Sequence, residues 1–171
     1  SIRFRRLPHR ILIAIVITAA GGASSLAAQV PRPRWTISGG ASAIRVGQHE
    51  GWGYGPELRV RRDFGESWGV GLTLSLPAFG ADAGGAAVDL GPTLTAVRGR
   101  TELGVGAGLT AFLLGDSSEL VGGGIGTFAG AHVGTWLTHG LGLFVASDLR
   151  FSFHDQLRLY PSATAGVAVR F

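Results

Sequence analysis

Ser152, His154 and Asp155 are the residues of this chain that come nearest to a nucleophile, a base and an acid in one place. A Ser and a His two apart on a strand share a face, but catalysis also needs an acid that orients the base. An Asp beside a loop histidine is common by chance, so this trio carries little weight. The five histidines, at 9, 49, 132, 139 and 154, have no metal-ligand spacing such as His-Glu-x-x-His. With no cysteine, disulfides and thiolate metal sites are excluded. The run Gly104-Val105-Gly106-Ala107-Gly108 lacks the spacing and the strand–turn–helix setting of a phosphate loop. No catalytic, cofactor or metal site is assigned, and an enzyme is not expected.

A larger ionisable set is more informative. Glu57, Arg59, Arg61, Asp89, Glu102, Asp148, Arg150 and Arg170 are four acids and four arginines, each on the polar parity of an alternating segment. The chemistry open to them is charge pairing in an enclosed space.

The segments that position them have a period of two almost everywhere after residue 34. Strands are predicted near 35–46, 52–62, 67–77, 86–98, 100–113, 124–137, 140–153 and 159–171. Asp63-Phe64-Gly65-Glu66, Arg98-Gly99-Arg100 and Thr138-His139-Gly140 read as tight turns, with glycine where positive φ is needed. The connections at Gly47–Gly51, Ala78–Gly85, Leu114–Gly123 and His154–Arg158 are looser. Tight turns alternate with looser loops, as an even-stranded barrel with both ends on one side requires.

One face of each strand is apolar. Leu141, Leu143, Val145, Leu149, Phe151 and Phe153 share a parity, with Ser147 the exception, against Gly142, Ala146, Asp148, Arg150 and Ser152. Trp68, Val70, Leu72, Leu74 and Leu76 oppose Gly69, Gly71, Thr73 and Ser75. If lipid lies outside, the small and polar face must line a narrow eight-stranded interior. A soluble sandwich with so many glycines on its second face would have weak strands and exposed edges. The eight charged residues then form a layered network. Asp89 and Arg150 fall in its upper half, Glu57, Arg59 and Asp148 near the middle, and Glu102, Arg61 and Arg170 lower down. Trp35, Trp68 and Phe171 are placed near one rim, and Trp52, Phe153 and Tyr160 near the other, as membrane interfaces favour. The face of Trp136 is left open.

Residues 1–28 read as a secretory signal. Arg3, Arg5, Arg6 and Arg10 precede the apolar stretch Ile11 to Ala20, and small residues follow. Cleavage is expected after Ala27 or Ala28. The apolar stretch alone is too short to span about 30 Å as a helix. Four of the 15 basic residues lie in this segment, leaving 11 against 11 acidic ones. The remaining chain, residues 29–171, is formally neutral, so nucleic-acid binding is not expected.

The chain ends Gly166-Val167-Ala168-Val169-Arg170-Phe171, an alternating strand closed by an aromatic residue. This ending and the strand count resemble the small eight-stranded bacterial outer-membrane β-barrels, similar to the membrane domain of outer-membrane protein A. The resemblance covers about residues 29–171. It implies an all-β fold, an eight-stranded antiparallel up-and-down transmembrane β-barrel after a cleavable signal peptide. It also implies that Val167, Val169 and Phe171 are read by the barrel assembly machinery, and that the partners are outer-membrane lipid and that machinery. No cofactor is expected, and a monomer is. Lipid A deacylases also use small barrels, but with His-x-Ser; here Ser152-Phe153-His154 runs in reverse. The expected role is structural or at the cell surface, with at most weak passive permeation. A narrow channel for small solutes and an outer-membrane lipid-modifying enzyme are the alternatives.

Overall fold

The structure, a computed structural model, describes residues 35–45, 51–79, 83–116, 122–153 and 158–171. The signal-peptide assignment, His49, His154 and Asp155 lie outside the described residues. Among the described residues, nine strands form one sheet: β1 Trp35–Arg45, β2 Trp52–Asp63, β3 Trp68–Ser75, β4 Ala78–Phe79, β5 Ala83–Arg98, β6 Thr101–Asp116, β7 Gly122–Trp136, β8 Leu141–Ser152 and β9 Arg158–Arg170. Neighbouring strands pair antiparallel, except that β3 and β4 each pair with β2 and β5 rather than with one another, and β1 pairs with β9, for example Ile37 with Val169. That pairing closes the sheet, so no edge is left to aggregate.

β3 and β4 make one stave, interrupted at Leu76 and Pro77. Proline cannot donate to a ladder. The Leu76 amide still reaches the Pro56 carbonyl at 3.0 Å, and the Gly85 amide reaches the Pro77 carbonyl at 2.9 Å. The barrel therefore has eight staves. Its loop-end strands run further than alternation suggests. Ala83, Gly84 and Gly85 pair with Asp116, Gly115 and Leu114, so two connections read as loops are partly strand. Small residues there resemble turn chemistry, but the ladder claims them.

The burial pattern is inverted relative to a soluble protein. Ser42, Glu57, Asp89, Thr110, Asp148, Arg150 and Thr164 are buried, whereas Leu94, Leu109, Val145 and Val167 are exposed. Leu109 is 62% exposed and Arg150 is 0% exposed. Such a wall belongs in hydrocarbon, which asks for an apolar exterior and satisfied backbone groups. Glycine lets the closing strands approach. At the β1–β9 seam Gly40 faces Gly166, and a Cβ on Gly166 would meet the Gly39 carbonyl carbon at 2.8 Å. Gly99, at φ 60°, makes the two-residue turn between β5 and β6.

Candidate functional site

Strand register stacks the inward residues in four tiers from the turn end to the loop end. The first is a ring around Glu102. Arg61 Nη1 donates to Glu102 Oε1 at 2.6 Å, and Trp136 Nε1 donates to Glu102 Oε2 at 3.1 Å. His132 Nε2 lies 3.2 Å from the same Oε1 and 3.3 Å from Arg61 Nη1. Arg61 Nε also faces Asp63 Oδ1 at 2.9 Å. Trp136 packs with Phe144, Ala146 and Ala168 as an apolar floor. Arg170 sits at the turn-end mouth, with its guanidinium 4.0 Å from the Trp136 ring centroid and its Nε donating to the His139 carbonyl at 2.8 Å.

The second tier joins β2 to β8. Arg59 Nε donates to Glu57 Oε1 at 2.6 Å, and its Nη2 pairs with Asp148 Oδ2. Glu57 also accepts from Ser75 Oγ at 2.6 Å and Thr164 Oγ1 at 2.8 Å. The third tier is Arg150 of β8 against Asp89 of β5. Arg150 further donates from Nη1 to Ser162 Oγ at 2.7 Å and from Nη2 to Ser75 Oγ at 3.1 Å. Thr110 Oγ1 donates to Asp89 Oδ1 at 2.6 Å. Arg150 Nη2 lies 3.8 Å from Glu57 Oε2, which links the second and third tiers. The fourth tier is apolar: Phe112, Tyr160, Ile44 and Ala87, with Phe79 against them.

Three of these ion pairs run across the bore rather than along its wall: Arg61 to Glu102, Arg59 to Asp148, and Arg150 to Asp89. In each, two strands stand between the partners in the sheet order. Desolvated charges hold together only when paired and hydrogen-bonded, and here the neighbouring hydroxyls complete that satisfaction. A cavity of about 80 Å³ remains between the first and second tiers, bounded by Arg59, Arg61, Thr93, Glu102, His132 and Trp136. Thr93 Oγ1 is buried there without a hydrogen-bond partner.

Sequence parity thus brings seven of the eight charged residues into the cross-bore network and places Arg170 at its mouth. Parity put Ser75 on the inner face, but the part that the hydroxyls Ser75, Thr110, Ser162 and Thr164 play in the network was not read from it. It also missed His132 and Trp136. Tyr160 departs from its expected place on the outer aromatic rim. It is 6% exposed, with its ring centroid 5.0 Å from that of Phe112. Its parity is that of Ser162 and Thr164, so its height is at the rim but its ring points inward. Ser152 is buried on the inner parity. Val167, Val169 and Phe171 are exposed on the outer face of the last strand and its end.

Among solved structures, the chain is similar to Neisserial surface protein A, at a TM-score of 0.67 and 12% identity, over 80% of this chain and 97% of that one. It is similar to the outer membrane protein OprG from Pseudomonas aeruginosa, at 0.63 and 11%, over 82% and 96%. It is also similar to Ail, the attachment invasion locus protein of Yersinia pestis, at 0.56 and 18%, over 82% and 99%. This is the fold of the small outer-membrane β-barrels. No protein-family model and no curated relative matches the chain. Closed eight-stave topology, apolar outer wall and these neighbours agree on an outer-membrane β-barrel. Inside this wall, polar groups pair with one another across the bore.

Proposed function

We propose that this protein is a small outer-membrane β-barrel with a structural or surface role and a lumen closed to all but weak passive permeation. One observation carries the reading: Arg150 is wholly buried and tied across the bore to Asp89, beneath the Phe112–Tyr160 layer. A solute would have to break that pair and displace those rings. Lipid is the partner of the outer wall, and the last strand, with Val167, Val169 and Phe171, is the segment proposed to be read during assembly. The barrel is proposed to act as a monomer without a cofactor, and without catalysis.

Single-channel recording in planar bilayers tests this. No resolvable current steps are expected from the wild type, and steps are expected when Arg150 and Asp148 are neutralised together. Steady wild-type conductance would overturn the closed lumen. A second reading, a narrow path for small polar solutes, is favoured by the cavity beside Thr93. It would appear as small wild-type steps that grow in Trp136→Ala.

A further inference from the structure

The turn-end rim carries a feature that the lumen does not explain. Arg62 is the last outward residue of β2 before the turn, and it pairs across strands with Trp35. It is exposed on the same wall as the leucines. Its guanidinium carbon lies 5.2 Å from the Trp35 ring centroid and 5.3 Å from that of Phe64. Phe64 in turn stacks on Trp68 at 5.1 Å. These three rings are 39%, 50% and 50% exposed for Trp35, Phe64 and Trp68.

Among the described residues, neither a carboxylate nor a hydrogen-bond acceptor meets the Arg62 side chain; its contacts are the two rings. Asp63, its chain neighbour, turns the other way and pairs with Arg61. Ring contacts engage the face of a cation and leave its N–H edge free to donate. A planar fork with free donors fits a phosphate bidentately. The level is also right, since tryptophans and arginines at a barrel rim sit at headgroup height. Arg98 and Arg100 are exposed at the same end, and so is Glu66 in the turn between Phe64 and Trp68, so the attraction for an anion rests on Arg62 itself.

We propose that Arg62, Trp35, Phe64 and Trp68 form a site for one anionic phospholipid, with the lipid phosphate on the Arg62 edge and its glycerol and upper acyl chains along the rings. A phosphatidylethanolamine ammonium would oppose Arg62, so a headgroup of net negative charge is selected. The site depends on the lipid-facing wall but not on whether the lumen is closed.

Native mass spectrometry of the folded protein tests it, with phosphatidylglycerol, phosphatidylethanolamine and inorganic phosphate as probes. One retained phosphatidylglycerol per barrel is expected. Its retention should fall by at least about fivefold in Arg62→Gln, the loss of one interfacial arginine contact. It should persist in Arg98→Gln and fall partway in Arg62→Lys, which keeps the charge but not the fork. A heat-dependent mobility shift on electrophoresis certifies that each variant is folded. Equal loss in Arg98→Gln would reduce the site to diffuse charge attraction and overturn it. Equal retention of phosphatidylethanolamine, displacement by inorganic phosphate, or full retention in folded Arg62→Gln would overturn it as well.

Discussion

Arg150 reaches across the bore to Asp89, donating from Nε to Oδ1 at 3.0 Å and Oδ2 at 2.9 Å, and from Nη2 to Oδ2 at 2.6 Å. Both residues are on the inner face and neither is more than 1% exposed. A bidentate pair of this kind ties β8 to β5 through the interior, where no backbone ladder connects them.

Breaking that pair from one side leaves a buried charge. Asp89→Asn should destabilise the barrel by about 3–5 kcal/mol, because Arg150 loses its counter-charge. Asp89→Leu combined with Arg150→Met removes both charges and should cost clearly less than the sum of the single changes. Urea unfolding of the protein in phospholipid vesicles measures both. Additive effects would mean that the two side chains are not coupled.

The floor and the brace should act in series on permeation. Trp136→Ala removes the ring between Glu102 and Arg170 but leaves the Arg150–Asp89 pair in place. It should not raise conductance alone. Combined with Arg150→Gln and Asp89→Asn, it should raise it above that of the double variant. Current steps in Trp136→Ala alone would place the seal at the floor and weaken the proposal for Arg150.

The strand count, closure and face of most strands were legible because alternation is a property of the local chain, and one side of each strand meets lipid. Strand β7 was not. Its outward residues mix Ile125 and Val133 with Thr127, Ala129, Ala131 and Thr135, and its inner glycines are interrupted by Phe128, so parity gave little contrast. That hid Trp136 and His132. Tyr160 was misplaced for a different reason: a rim assignment uses height along the strand, while facing is decided by parity. The charge network was legible as a set, but its partners were not, because cross-bore pairing depends on strand tilt and side-chain reach.

Glycines at the seam should differ sharply over one residue. A Cβ on Gly166 would meet the Gly40 Cα at 2.5 Å and the Gly39 carbonyl carbon at 2.8 Å, while one on Gly39 would meet only the Glu57 carbonyl oxygen at 3.8 Å. Gly166→Ala should therefore cost about 1–3 kcal/mol, the usual range for overpacking. Gly39→Ala should be close to neutral. The urea midpoint of each variant decides, and equal costs would mean that the seam relaxes as the strands separate.

Leu109 gives the sharpest test of what lies outside the wall. It is 62% exposed, near the middle of β6, and flanked by Leu90 on β5 and Thr127 on β7. In a soluble barrel an exposed leucine tolerates arginine, with a change within about 0.5 kcal/mol. In a bilayer the same change puts a charge at the hydrocarbon midplane and costs about 2–4 kcal/mol. Leu109→Arg should therefore fold poorly into vesicles. Leu137→Arg, in the exposed turn after β7, should fold as the wild type does. The depth dependence is the decisive readout, because a packing defect would not follow distance from the bilayer centre. If both variants inserted equally well, the leucine wall would face water and the lipid contacts of every strand would have to be reassigned.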